Sequence, residues 1–537
     1  MKQVFLFKID YMKYFFFLFI FVYSIPASAQ KNYFQQKLDY EINVALDDQT
    51  KTLAGFETIK YTNNSPDALD FIWFHIWPNA YKNRNTALFR QIDADATRKS
   101  KEKDAVAGWI EGLDFKVNGS KATTTPHSNP DYIDVVKLNL PKPLKPGETI
   151  TITTPFKVKL PSYFSRSGYA DGEFMVTQWY PKPAVYDKDG WHEFPYLDMG
   201  EYYSDYADYK INITIPGDYI VGATGVLQTA DELQQYKLAG AKNAANQNSA
   251  PQLYKPASTK NKVLFYTAQN VVDFAWFADK NMVIQYDTVQ LKNKVVDAFT
   301  YYHNKPNTIW NKSIDYVKDA TRKYSEWIGD YEYPTVQAFE GPKNNASGGM
   351  EYPMITLITQ PDAKPASLDG VITHEVGHNW FMGMLGSNER SHTWQDEGLN
   401  TYYQFRYEAD KYRANSMVGE LPKELTSLPA EEFQFKLYNF MSQAIPMTAK
   451  IDQPAADFKS SEEYGLISYV KAAIWLYKLE MMVGREGVDK AFQQYFKDWN
   501  GKHPTPKDMQ NSFEKALARN LTDFFALLDK SENIKLF

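Results

Sequence analysis

The chain has 537 residues, a formal net charge of −6 and 44% hydrophobic residues, with 12 Trp, 38 Tyr and 34 Phe. It is too long for one ordinary domain and, at 23% charged, too rich in core-forming side chains for a disordered polymer. The mild acidic balance, without a long basic run, disfavours nucleic-acid binding. With no cysteine, the chain has neither disulfides nor a site for Cys lipidation.

The N-terminus reads as a secretory signal. Lys2, Lys8 and Lys13 precede an apolar run over residues 14–25, and Ala27-Ser28-Ala29 has the A-x-A form of a cleavage site. The apolar run is too short to span a bilayer, so the mature chain is expected to start at Gln30, exported to the periplasm or outside the cell. Met12 is a second candidate start. Loss of residues 1–29 removes three Lys and one Asp and takes the formal charge to −8. No later stretch has the length of a transmembrane helix, so no stable membrane insertion is expected after cleavage.

Residues 31 to about 270 are expected to be β-rich. Runs at 40–46, 58–61, 69–76, 149–153, 209–215 and 263–266 alternate in polarity and are separated by Pro, Gly and Asn, the pattern of antiparallel sheets in a sandwich or saddle. Residues 239–262, rich in Ala, Asn, Gln, Ser and Lys, read as a flexible loop. From about 271 the period changes. Helices are predicted at 292–303 and 313–328, strands at 336–339 and 355–358, and further helices at 367–382, 397–409 and 463–483, the last ended by Gly484. The turn Lys502-His-Pro-Thr-Pro then separates two short helices. These shifts divide the chain into a signal (1–29), a β domain (30–270), a catalytic domain (271–484) and a short helical part (485–537).

The chemistry concentrates in residues 374–397. In His374-Glu375-Val376-Gly377-His378 the two histidines stand at i and i+4, on one helix face, where both rings can reach one ion. This is the arrangement in which two His hold zinc and the intervening Glu serves as general base. A third ligand is needed; Glu397, eighteen intervening residues after His378, is the candidate, with Glu389 and Asp396 as rivals. Two His and one carboxylate leave a fourth position for water, whose pKa the ion lowers. Glu375 can accept that proton and pass it to a leaving amine. His75, His127, His192, His303, His392 and His503 fit no ligand spacing and read as structural or exposed.

Four elements in order make this region resemble the zinc aminopeptidases of the aminopeptidase N and leukotriene-epoxide hydrolase family, which are gluzincins. They are Gly348-Gly349-Met350-Glu351-Tyr352, similar to the family's Gly-Ala-Met-Glu-Asn strand; His374-Glu375-x-x-His378 with Glu397; Trp394-x-x-Glu397-Gly398-Leu399; and Tyr469-Val-Lys471-Ala-Ala, similar to Tyr-Glu-Lys-Gly-Ala. The likeness is clear over about 335–485 and weaker through the β region, for example around Thr177-Gln178.

The resemblance implies a multidomain fold: an N-terminal antiparallel β sandwich or saddle, a thermolysin-like α+β catalytic domain and, here, a short α-helical C-terminal part, leaving a more open cleft. It implies one Zn2+ on His374, His378 and Glu397, Glu375 as base and Tyr469 as oxyanion donor, with Tyr464 as the rival tyrosine. It implies Glu351 as anchor for a substrate α-ammonium, Gly348 and Gly349 as a strand edge for an extended peptide, and Gln178 as a further substrate contact, although by itself Gln178 reads equally as a surface-strand residue. The expected activity is removal of N-terminal residues from peptides with a free N-terminus. An endopeptidase, an epoxide-type hydrolase on the same zinc, and a catalytically degenerate peptide binder are the alternatives.

Overall fold

The structure, a computed structural model, describes residues 33–101, 107–256, 260–305, 308–344, 347–360 and 364–537. The signal-like segment 1–29 lies outside the described residues. Among the described residues no helix is long and apolar enough to cross a membrane.

The β region begins with a hairpin, Lys37–Asp47 and Thr52–Thr62, paired antiparallel along its whole length. The Asp47 carboxylate accepts from the Gln49 and Thr50 amides at 2.9 and 3.0 Å and pins the turn. Strict alternation puts Tyr40, Ile42 and Val44 inward. The hairpin lies at the centre of a nine-stranded sheet, and two four-stranded sheets pack with it around Trp179, Phe274 and Trp276. Among the described strands of this region the expected antiparallel pairing holds except that Lys37–Asp47 runs parallel to Ala207–Ile215. A parallel neighbour needs a long crossover, and the whole intervening β region supplies it.

Two local expectations fail. Residues 239–262 do not form one open loop, because helix Ala230–Ala245 covers the first part. It lies against strand Met282–Gln290 so closely that a Cβ at Gly240 would sit 2.6 Å from the Tyr286 Cβ. Asn243 then ties the following segment down, donating to Ile284 O and Gln252 O and accepting from the Gln252 amide. Only Tyr236, Gly240 and Asn243 of this helix are buried, so its composition carries almost no apolar stripe. Residues 292–303 are not helical either: Val295–His303 is a strand, antiparallel to Met282–Gln290 and parallel to Thr335–Glu340. It is buried on both faces, and a short continuous apolar run does not distinguish a buried strand from a helix.

That strand belongs to the five-stranded sheet behind the site, ordered Met282–Gln290, Val295–His303, Thr335–Glu340, Ile355–Ile358 and Gly349–Tyr352. The change of sheet falls between Asp279, which still pairs in a β-region sheet, and Met282. Gly349–Tyr352 is the antiparallel edge strand. Helix Ser313–Trp327 packs on helix Pro365–Gly377, which starts with Pro365 in its first turn and is buried almost all round. The motif His374–His378 ends this second helix. Gly377 is required there, since a Cβ would lie 2.1 Å from Asn400 Oδ1.

Helix Glu397–Tyr412 crosses next, and a Cβ at Gly398 would meet the Ala472 Cβ at 2.3 Å, so the two small residues set how closely it packs on the Tyr469 segment. That segment, Gly465–Lys471, is π-helical and runs into helix Ala472–Trp499, whose axis breaks at Gly484 (φ 74°, ψ 166°). The expected helix end at Gly484 is therefore a break followed by a second helical segment. Helix Pro506–Leu517, opened by a Thr505–Asp508 capping box, packs back through Phe513 onto Phe492. One buried apolar cluster runs from Leu38 to Leu536.

Candidate metal centre and active site

The helix ending at His378 and the helix beginning at Glu397 bring three donor atoms together. His374 Nε2 lies 3.1 Å from His378 Nε2 and 3.2 Å from Glu397 Oε2, and His378 Nε2 lies 3.4 Å from the same oxygen. A tetrahedral ion with bonds of about 2.0–2.2 Å places its ligands about 3.3–3.5 Å apart, so the triangle is the size of one face of a zinc site.

The remaining ring nitrogens are held so that both Nε2 lone pairs face the triangle. His378 Nδ1–H donates to Asp396 Oδ1 at 2.6 Å. His374 Nδ1–H donates to Gln404 Oε1 at 2.9 Å, and the Gln404 amide is oriented by its own donation to Glu408 Oε1 and Ser416 Oγ. A carboxylate or amide behind each imidazole is the usual support of a metal-bound histidine. Asp396, a rival ligand by sequence, thus stands behind His378, and Glu389 lines a small adjoining cavity instead. Asn400 supports the helix end by donating to His374 O at 2.7 Å while accepting from Tyr324 OH.

The triangle opens into a cavity of about 510 Å3. Glu375 lines it, is only 6% exposed, and its Oε2 has no hydrogen-bond partner. Burial pushes its carboxyl well above the usual range, with Glu351 and Glu397 adding to the effect. A carboxylate with one unpartnered oxygen beside three converging donors, in a cavity that also holds Glu201, Glu351 and Glu397 against Arg166, is an environment short of positive charge. A divalent cation fits it. Gly349 is needed by the same group: a Cβ there would lie 2.4 Å from Glu375 Oε1. At Gly348 a Cβ would meet Gln360 Nε2 at 2.3 Å.

Glu351 projects from the edge strand, and its oxygen lies within 4.8 Å of ligand atoms of both Glu375 and His378. Arg166 Nη1 donates to Glu351 Oε1 at 3.1 Å, and its other amino group pairs with Glu201. Burial works to raise the Glu351 carboxyl, but Arg166 holds it below the usual carboxylate range. Glu201, for which burial dominates, is pushed well up. One guanidinium between two carboxylates leaves the group short of one positive charge.

Tyr469 lies on the cavity wall with its ring 5.9 Å from that of His374 and tilted by only 15°. Burial and the nearby Glu397 push its phenol above the usual range, so it is a proton donor in hydrogen bonds. Tyr464 also lines the cavity, edge-on to Tyr469 at 5.9 Å, one step farther from the histidines.

Gln178, expected as a substrate contact, lies away from the triangle and beside Glu351 and Arg166 in the small adjoining cavity. It donates to Asp273 Oδ2 and accepts from Tyr352 OH. Three functional residues were missed by motif reading. Gln404, seven residues after Glu397 on the same helix face, had a periodicity signal. Arg166 and Glu201 had none, because they meet Glu351 only through folding.

Residues 313–527 match the peptidase family M1 domain. Among curated proteins the chain is 26% identical over 219 residues to a leukotriene A-4 hydrolase homolog of Botryotinia fuckeliana, covering 38% of this chain and 30% of that protein. It is likewise 26% identical over 219 residues to leucine aminopeptidase 2 of Sclerotinia sclerotiorum, covering 38% and 32%. The matched stretch thus spans about a third of these relatives. Among solved structures, an M1 zinc metallopeptidase mutant from Deinococcus radiodurans bound to a Tyr-Ser-Ala substrate superposes with a TM-score of 0.59 at 14% identity, over 94% of this chain and 96% of that one. Legionella pneumophila aminopeptidase A in complex with aspartic acid gives 0.61 at 13% identity, over 92% and 49%. At these identities the superpositions show a shared fold: a β-rich N-terminal part, a central catalytic part and a helical C-terminal part. The resemblance drawn from Gly348–Tyr352, His374–Glu397 and Tyr469 is borne out: residues 313–527 are similar to the M1 peptidase domain, and the chain shares the fold of M1 zinc metallopeptidases.

Proposed function

We propose that the chain is an exported zinc metallo-aminopeptidase that hydrolyses the first peptide bond of peptides with a free N-terminus. The observation that carries the reading is the Glu375 carboxylate, with one unpartnered oxygen, beside the His374–His378–Glu397 triangle, with Glu351 within 4.8 Å of that base and of His378. Export rests on the signal-like residues 1–29 alone.

A zinc ion held by His374, His378 and Glu397 supplies Lewis acidity, acidifying water and polarising a carbonyl. Glu375 accepts the proton of the attacking water and delivers it to the amine that departs as the C–N bond breaks. The Tyr469 O–H donates to the oxyanion formed on the carbonyl oxygen. Glu351 and Glu201 accept hydrogen bonds from the substrate α-ammonium, which supplies the positive charge that Arg166 alone leaves missing. Because Glu351 stands so near the base, an ammonium held there brings the first peptide bond to Glu375 and leaves later bonds out of reach. The Tyr-Ser-Ala complex of the Deinococcus neighbour supports a short peptide as the substrate class.

The test is a panel of paired fluorogenic peptides, free and N-acetylated, with and without chelator. Chelator-sensitive turnover of the free peptides only is expected. Equal turnover of acetylated peptides would refute the exopeptidase reading, and bound zinc without any turnover would leave a peptide binder.

A further inference from the structure

A second mixed cluster lies outside the cavity, at the seam where the β-region sheets meet the five-stranded sheet. Glu173 stands at the start of strand Glu173–Val176, Asp279 at the end of its partner Trp276–Asp279, and His303 and Glu340 at the ends of two neighbouring strands of the five-stranded sheet. His303 Nε2 lies 3.2 Å from Glu173 Oε1 and 3.8 Å from Asp279 Oδ2, and the three donor atoms all lie within 4.8 Å of one another. We infer that this seam binds a second divalent cation through Glu173, Asp279 and His303, distinct from the catalytic metal and structural in role.

Four observations support it. First, the donor set is one imidazole and two carboxylates, which suits Zn2+ or Mn2+ with water completing the shell. Second, Glu173 is only 9% exposed and its Oε2 has no hydrogen-bond partner, so a buried carboxylate oxygen is left without a counterpart. Third, neighbouring atoms of the cluster are committed elsewhere, so among the described residues the three donors face one another and no other partner. Asp279 Oδ1 accepts from the Asn281 amide, while Glu340 accepts from the His303 amide at 2.8 Å and from Lys305 Nζ at 2.9 Å. Glu340 Oε2 also lies 3.5 Å from His303 Nδ1, on the far side of the imidazole from the cluster, longer than the 2.6 Å hydrogen bond that joins His378 to Asp396.

Fourth, the charges close. Glu173, Asp279 and Glu340 against Lys305 and a divalent cation sum to zero, whereas a protonated His303 in place of the cation leaves one negative charge in excess at a buried seam. The competing arrangement is that purely ionic knot, with His303 as a cation, and it needs no metal.

Metal content decides between them. The mature chain carrying Glu397→Ala, which removes a ligand of the catalytic site, is dialysed against Zn2+ or Mn2+, desalted and analysed by inductively coupled plasma mass spectrometry. The wild type is expected to retain about two equivalents, Glu397→Ala about one, and the double variant Glu397→Ala/His303→Gln none. If His303→Gln fails to fold, Glu173→Gln takes its place, and chelator-stripped wild type titrated with each metal alone should show two saturable steps. Retention of a single equivalent by the wild type, none by Glu397→Ala, or an unchanged content in His303→Gln and Glu173→Gln would overturn the inference in favour of the ionic knot.

Discussion

Among the described residues, the histidine–carboxylate groups at His374–His378–Glu397 and at Glu173–Asp279–His303 differ more in their surroundings than in their ligands. At His374, His378 and Glu397 the donors sit 3.1–3.4 Å apart and open into a cavity of about 510 Å3 that also holds a free base. At Glu173, Asp279 and His303 the spacing is looser, Lys305 and backbone amides occupy the neighbouring oxygens, and the strand ends of two sheets close over the group. A metal site becomes a reaction centre when it keeps an open position and a proton acceptor beside it, and a structural one when its surroundings are satisfied. Ligand identity alone does not separate the two.

The first way to break the comparison is to remove the base. Glu375→Gln should lower kcat about 10²- to 10⁴-fold while bound zinc, measured by mass spectrometry, is unchanged, because the side chain is not a ligand. Undiminished turnover would mean that this carboxylate has no part in the chemistry. Tyr469→Phe should lower kcat by about 10²- to 10³-fold with little change in KM, as loss of an oxyanion donor does; Tyr464→Phe, run beside it, should change kcat far less.

Glu351→Gln should act on binding. Losing a charge-assisted hydrogen bond of about 1.5–3 kcal/mol raises KM for free peptides roughly 10- to 100-fold, and steady-state kinetics on free and acetylated substrates would reveal whether that penalty is confined to the free ones. Asp396→Asn should weaken zinc about 10- to 100-fold in a competitive chelator titration, since the support behind His378 is lost but all three ligands remain. The smallest effect falls on the seam. His303→Gln should lower the thermal midpoint by about 2–4 °C, read by calorimetry, with zinc retained at His374 and His378.

The legible part of the site was local. His374 and His378 share a face because the helix repeats every 3.6 residues, and Gly377 between them answers to the Asn400 side chain that the fold brings within contact. Glu351, Glu397 and Tyr469 were found through a resemblance carried by short motifs, and the structure places all three on the same cavity wall. Gln178 was drawn in by the same resemblance; it bonds Asp273 and Tyr352 and lines the adjoining cavity together with Arg166 and Glu351. Strand Val295–His303 and helix Ala230–Ala245 were misread because burial on both faces, or on almost none, erases the periodicity from which elements are predicted.

The amino-acid sequence by itself determined the pairing of His374 and His378, the place of Glu375 between them and the β-then-α order of the chain, since each depends on spacing within one element or on a motif. Tertiary structure alone decided which carboxylates face a cation. Arg166 reaches Glu351 across 185 positions of sequence, Glu201 joins them from another segment, and Glu173, Asp279, His303 and Glu340 meet only where four strand ends converge. Electrostatic partnership acts over a few ångströms of space, and chain separation carries no record of it until the strands are packed.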